Sequence, residues 1–157
     1  MPGCARLAVD DWDRPDRELW LQALRRSLEA ARAPAVVVAH SLGCALVAHG
    51  VARWPGLAAG FIRAALLVAP ADVDSPGRTP PETRGFAPMP LGRLPFPALV
   101  VASRDDPYMA IERARALAAA WRGELVDAGP LGHINAASGL GEWPAGASWL
   151  RALIARS

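Results

Sequence analysis

Val36-Val37-Val38-Ala39-His40-Ser41-Leu42-Gly43 is the stretch whose reading decides the fold. From Ala35 to Ala39 the residues are apolar without interruption, and such runs suit strands buried on both faces, as in parallel sheets. A helix reads from about Leu42 to Trp54, with Pro55-Gly56 as its stop. Strand, turn and helix thus meet at Ser41. Small residues stand two before it (Ala39) and two after it (Gly43). A sharp strand-to-helix turn crowds those two positions together, so Gly fits best and Ala is tolerated. The turn is the G-x-S-x-G elbow with Ala at its first position. It lifts the Ser41 hydroxyl out of the sheet and aims the Leu42 N–H at the place where an oxyanion would develop. The alternative for Ser41 is a plain helix cap.

Working outward, the rest of the chain repeats the alternation. Residues 5–9 read as a short strand, and Asp13-Arg14-Pro15-Asp16 as a helix start with Asp13 as cap. Trp20, Leu24, Leu28 and Ala31 then line one face of a helix over about 16–32. Residues 64–69 and 98–102 are further buried strands, separated by a loop over 70–96 rich in Pro, Gly and charge, with room for one short helix. A helix fits 108–121 with Ile111, Ala114 and Leu117 inward, a short strand 124–127, and a last helix about 145–155. Alternating strands and helices predict an α/β fold: one domain over 1–157, with a mainly parallel sheet and helices on both faces. Functional groups in such sheets sit on loops at the carboxyl ends of the strands.

Two such loops complement Ser41. A serine hydroxyl is a weak nucleophile until a base takes its proton. Of the three histidines, His40 is expected to point away around the turn, and His49 lies two turns along the next helix. His133, in the Gly-rich loop Gly129-Pro130-Leu131-Gly132-His133, follows the last strand and can reach over Ser41. The base needs a carboxylate to fix its tautomer. Asp105 and Asp106 both follow the 98–102 strand, and the residues alone leave the choice between them open. With either acid, the chain order is Ser, Asp, His, the order of α/β-hydrolases.

These strings together resemble the retinoblastoma-binding protein 9 / YdeN family of small serine hydrolases. The resemblance is carried by Asp10-Asp11-Trp12-Asp13-Arg14-Pro15-Asp16, by Ala39-His40-Ser41-Leu42-Gly43-Cys44, by Asp105-Asp106-Pro107-Tyr108, and by the long run from Gly132-His133-Ile134-Asn135 to Glu142-Trp143-Pro144. It implies a small α/β-hydrolase, and between Ser41 and Asp106 the chain has room only for the 70–96 loop, not for a large lid domain. Ser41, Asp106 and His133 would be its catalytic triad, and no metal or organic cofactor is needed. It also implies that the acid before Pro107, Asp106, serves the base. Members of that family begin with a further strand and a Pro- and Gly-rich loop that supplies a second oxyanion-hole N–H. On that comparison the chain is expected to be N-terminally truncated. The 5–9 segment would then either pair directly with the Val36–Val38 strand or sit loosely, leaving apolar surface uncovered.

Composition narrows the function classes. The net charge is +2, and the 17 basic residues, all Arg, are scattered, which excludes a nucleic-acid footprint. No apolar run reaches the roughly 20 residues of a membrane span. Two cysteines, Cys4 and Cys44, make no disulfide framework and fit a cytoplasmic setting. The expected activity is hydrolysis of a small ester or amide through an acyl-serine intermediate. Its alternative is a non-catalytic interaction protein or inactive remnant that keeps the same residues. Trp12, Trp143 and Tyr108 are candidates for the rim or core.

Overall fold

A computed structural model describes residues 4–9 and 11–157; Asp10, the first residue of the Asp10–Asp16 string, lies outside the described residues. In chain order the elements are α1 (Arg17–Glu29), β1 (Ala35–His40), α2 (Leu42–Arg53), α3 (Pro55–Phe61), β2 (Ile62–Val68), a 3₁₀ turn (Pro81–Phe86), β3 (Ala98–Ala102), α4 (Ile111–Trp121), β4 (Glu124–Asp127), a second 3₁₀ turn (Ala136–Ser138) and α5 (Pro144–Ala155). The four strands form one sheet in the order β1-β2-β3-β4, every neighbouring pair parallel.

Side chains alternate across this sheet and divide the core in two. Ala65, Leu67, Ala98, Val100 and Ala102 face α1, α2 and α4, where Leu24, Leu46, Leu117 and Trp121 meet them. Ala64, Leu66, Val68, Leu99 and Val101 face the other way, against Leu153 of α5 with Trp149 and Leu150 at its margin. One face thus carries α1 to α4 and the other carries α5. At the β1 end of the α5 face, Val38 is 56% exposed.

The 5–9 strand does not form. Residues 4–9 have no regular secondary structure, and β1 ends the sheet. Leu7 and Val9 still pack on the larger core cluster, so the segment is held by apolar contact rather than by a strand ladder. The cap of α1 is Asp16, not Asp13. Asp11 Oδ1 accepts the N–H groups of Asp13 and Arg14, each at 2.9 Å, which closes a turn there. Asp16 Oδ1 then accepts the Leu19 N–H at 2.9 Å. Helix α2 ends at Arg53, just before Pro55 as expected, and Pro55 then takes the first position of α3, where its missing N–H costs nothing. Helix α4 starts at Ile111 instead of 108, because the Asp106 carboxylate captures the Tyr108 N–H at 2.8 Å and Ala110 is extended.

The 70–96 segment belongs to the body of the molecule. It buries Val73, Phe86, Met89, Leu94 and Phe96. The Trp121 indole N–H donates to the Pro90 carbonyl at 2.8 Å, and Arg113 pairs with both Asp72 and Asp74. Among the described residues no helix is long and apolar enough to cross a membrane.

Candidate active site

Ser41 occupies the turn between β1 and α2 with φ 55° and ψ −122°, a conformation that L-residues avoid and that persists only where the surroundings impose it. The imposing contacts are clear. The Ser41 N–H donates to the Val68 carbonyl at 3.0 Å, which continues the β1–β2 ladder into the turn. The Gly43 position lies beside the Ala39 methyl, where an added Cβ would stand at 3.6 Å, an ordinary van der Waals contact, so the turn is less crowded there than the motif suggests. The Ser41 side chain caps nothing at the start of α2. Its Oγ instead lies 2.8 Å from His133 Nε2. Leu42 opens α2, so its N–H is one of the first-turn donors that no helical carbonyl accepts.

His133 comes from the loop after β4 and is buried, with 8% exposure. Its Nδ1 lies 3.0 and 2.9 Å from the two Asp106 oxygens, and the Asp106 side chain is only 1% exposed. With an acceptor-only carboxylate at Nδ1, the proton belongs on that nitrogen, which leaves Nε2 to accept the Ser41 hydroxyl. Asp106, Ser41 and His133 are therefore brought together in one hydrogen-bonded row.

Asp105 has a different task. Its Oδ1 accepts the Ser103 hydroxyl at 2.7 Å and the Gly132 N–H at 2.8 Å, while Ser103 Oγ accepts the Leu131 N–H at 2.9 Å. Those bonds, the Ser103 hydroxyl first, hold the Asp105 carboxyl below its ordinary value. The acid pair at the end of β3 thus divides its work: Asp105 ties down the loop backbone and Asp106 meets the imidazole.

His40 departs from expectation. It does not turn away from the site: its Nε2 donates to the His133 carbonyl at 2.8 Å, and the two rings are 4.8 Å apart. Desolvation is the largest influence on the ring and pushes it below the ordinary histidine value, against the raising effect of the bond to the carbonyl. Tyr108 also packs on His133, edge to face at 4.6 Å. Neither contact was legible beforehand, since both depend on how the 129–135 loop crosses the strand ends. His49 bonds the Phe86 carbonyl at 2.6 Å, away from Ser41. Cys44 is fully buried, burial pushes its thiol far up, and it serves as a small core residue. Trp12 packs on Trp20 and Trp143 on Trp149. Among the described residues no group of His, Cys, Asp and Glu is arranged to hold a metal ion.

Comparison with known proteins bears on the family and the fold. The model of the serine hydrolase family matches residues 1–152, and the chain belongs to that family. A YdeN-like hydrolase from Pectobacterium atrosepticum is 33% identical, with a TM-score of 0.82 over 98% of this chain and 77% of that one. Est1E from Butyrivibrio proteoclasticus is similar in fold, at 16% identity and a TM-score of 0.65 over 90% of this chain and 72% of that chain. An esterase domain from Rhodothermus marinus aligns with a TM-score of 0.58 at 23% identity, over 85% of this chain and 67% of that chain. These two likenesses bear on the fold, which is that of the α/β-hydrolases. A search of curated proteins gives no match.

Proposed function

We propose that the protein is a serine hydrolase that cleaves a small ester or amide through an acyl-serine intermediate. The observation that carries this reading is the row Ser41 Oγ, His133 Nε2, His133 Nδ1, Asp106, with 2.8 Å at the first link and 2.9 Å at the last. In the acylation step Ser41 Oγ attacks the substrate carbonyl carbon while its proton passes to His133 Nε2. The Asp106 carboxylate stabilises the imidazolium so formed, and the Leu42 N–H, at the positive end of α2, donates to the oxyanion. Collapse of the tetrahedral intermediate breaks the bond to the leaving group, which takes the proton from Nε2. Water, deprotonated by His133, then attacks the acyl carbon, and the carboxylic acid departs as Ser41 recovers its proton.

Support for small or flexible substrates comes from the 70–96 segment. Its apolar residues Val73, Phe86, Met89, Leu94 and Phe96 are committed to the core, and Ser41 stays partly exposed. The two cysteines are free, which favours a reducing, cytoplasmic setting. The test is turnover of p-nitrophenyl acetate by the parent and by Ser41→Ala. The reading expects release of nitrophenolate by the parent and a rate at background for the variant. Equal rates from the two proteins would refute it.

A further inference from the structure

We propose that His40 is a positioning residue for the base: its imidazole fixes the backbone of the His133 loop at the separation from Ser41 that proton transfer requires. The inference rests on reading Ser41 as nucleophile and His133 as base.

The carbonyl that His40 Nε2 meets at 2.8 Å belongs to the peptide joining His133 to Ile134. With a carbonyl as partner, Nε2 must carry the proton. Ile134 sits at φ +48°, a region that a β-branched residue strongly disfavours. A strained backbone of this kind survives only when its surroundings over-determine it. The peptide is held at both ends: the His133 carbonyl by His40, and the Ile134 N–H by the Leu131 carbonyl at 3.2 Å. The bonds from Ser103 and Asp105 reach the same loop from the end of β3, but they stop at Leu131 and Gly132, ahead of His133. His40 approaches from the opposite flank and holds the peptide that follows the base.

His40 is also the last residue of β1 and the covalent neighbour of Ser41. One strand end therefore delivers the nucleophile and holds the backbone of its base. The 2.8 Å gap between Ser41 Oγ and His133 Nε2 is spanned by a single side chain and one peptide link. Without the His40 donor, the peptide keeps only the Ile134 N–H bond to the Leu131 carbonyl, and the imidazole can shift with the loosened carbonyl. A displacement of about 1 Å at a reacting group can cost roughly 10²-fold in rate.

The test compares p-nitrophenyl acetate turnover and the rate of fluorophosphonate labelling at Ser41 in the parent, His40→Phe and His40→Gln. Phe keeps a flat ring of similar size without the donor; Gln keeps an N–H donor of similar reach. The expected result is a kcat at least about 10-fold lower for His40→Phe, with labelling slowed alongside and KM changed little. His40→Gln should stay within a few-fold of the parent, and both should melt cooperatively near the parent temperature. Phe and Gln variants equally fast, or equally slow, would overturn the proposal. Loss of cooperative melting in His40→Phe would overturn it too, by assigning the residue to folding. A parent inert to both probes would remove the reading of Ser41 itself and the proposal with it, a failure visible before any variant is compared.

Discussion

Replacing Asp106 by Asn changes one atom in the row and reverses its logic. Asp106 Oδ1 accepts the Tyr108 N–H at 2.8 Å, so in Asp106→Asn the amide oxygen has a reason to stay there. The NH₂ group then occupies the Oδ2 position, which lies 2.9 Å from His133 Nδ1. The amide oxygen, 3.0 Å from Nδ1, is already engaged by the Tyr108 N–H, so the nearer NH₂ donor favours the tautomer with Nδ1 as acceptor and the ring proton on Nε2. Nε2 then faces Ser41 as a donor and cannot take its proton. Two losses combine. The imidazolium formed during acylation loses a carboxylate partner, and at an effective dielectric of about 20 two charges about 4 Å apart are worth about 4 kcal/mol, or close to 10³-fold in rate. Restoring the productive tautomer costs more, bringing the expected fall in kcat to roughly 10⁴-fold. The assay is steady-state ester turnover by the parent and Asp106→Asn, with a melting curve to show that both are folded. A folded variant within tenfold of the parent would refute the assignment of Asp106 and return the choice to Asp105.

Other expectations follow from strain, packing and titration. Ser41→Gly and Ser41→Ala should both abolish turnover, but Gly should melt above Ala by about 2–4 °C, since relief at φ 55° is worth about 1 kcal/mol; equal melting temperatures would deny the strain. Gly146→Ala would drive a methyl into the Trp143 ring, so denaturant unfolding should show a loss of about 1–3 kcal/mol. Desolvation foremost holds the His49 ring below its ordinary value, whereas the unfolded chain takes up that proton near pH 6.5. The fold's advantage is therefore complete above about pH 6.5 and is lost as the pH falls through the folded value. Melting temperature should drop between pH 7.5 and 5.5, and His49→Gln should flatten that drop. It should not remove it, because His40 is shifted in the same sense. An unchanged slope would contradict the assignment.

Sequence reasoning succeeded where one local pattern carries a strong physical constraint. Residues 98–102 and 124–127 form strands at those bounds, and the run ending at Ala39 leads into the turn at Ser41 as its small neighbours require. It failed where side chains compete for the backbone. Asp13 and Asp16 are equally good caps on composition, and only the turn closed by Asp11 shows that Asp16 wins. Pro55 marks the end of α2 correctly, but the helix α3 that it opens was not legible, because that role depends on where the chain goes next. Residues 5–9 have strand composition, yet a strand needs a partner ladder, and β1 does not supply one. At the site, the order Ser, Asp, His was legible and the division of labour between Asp105 and Asp106 was not. That division depends on which carboxylate faces the loop N–H groups and which faces the ring. The bond from His40 was hidden for the same reason: it links residues 93 positions apart in sequence.

The most direct test of the central claim is intact-mass analysis after brief exposure to a fluorophosphonate, on the parent and on Ser41→Ala. Activation of Ser41 by His133 and Asp106 predicts one phosphonyl adduct on the parent, mapped to Ser41, and none on the variant. A folded parent that stays unmodified, or an adduct that persists in Ser41→Ala, would contradict it.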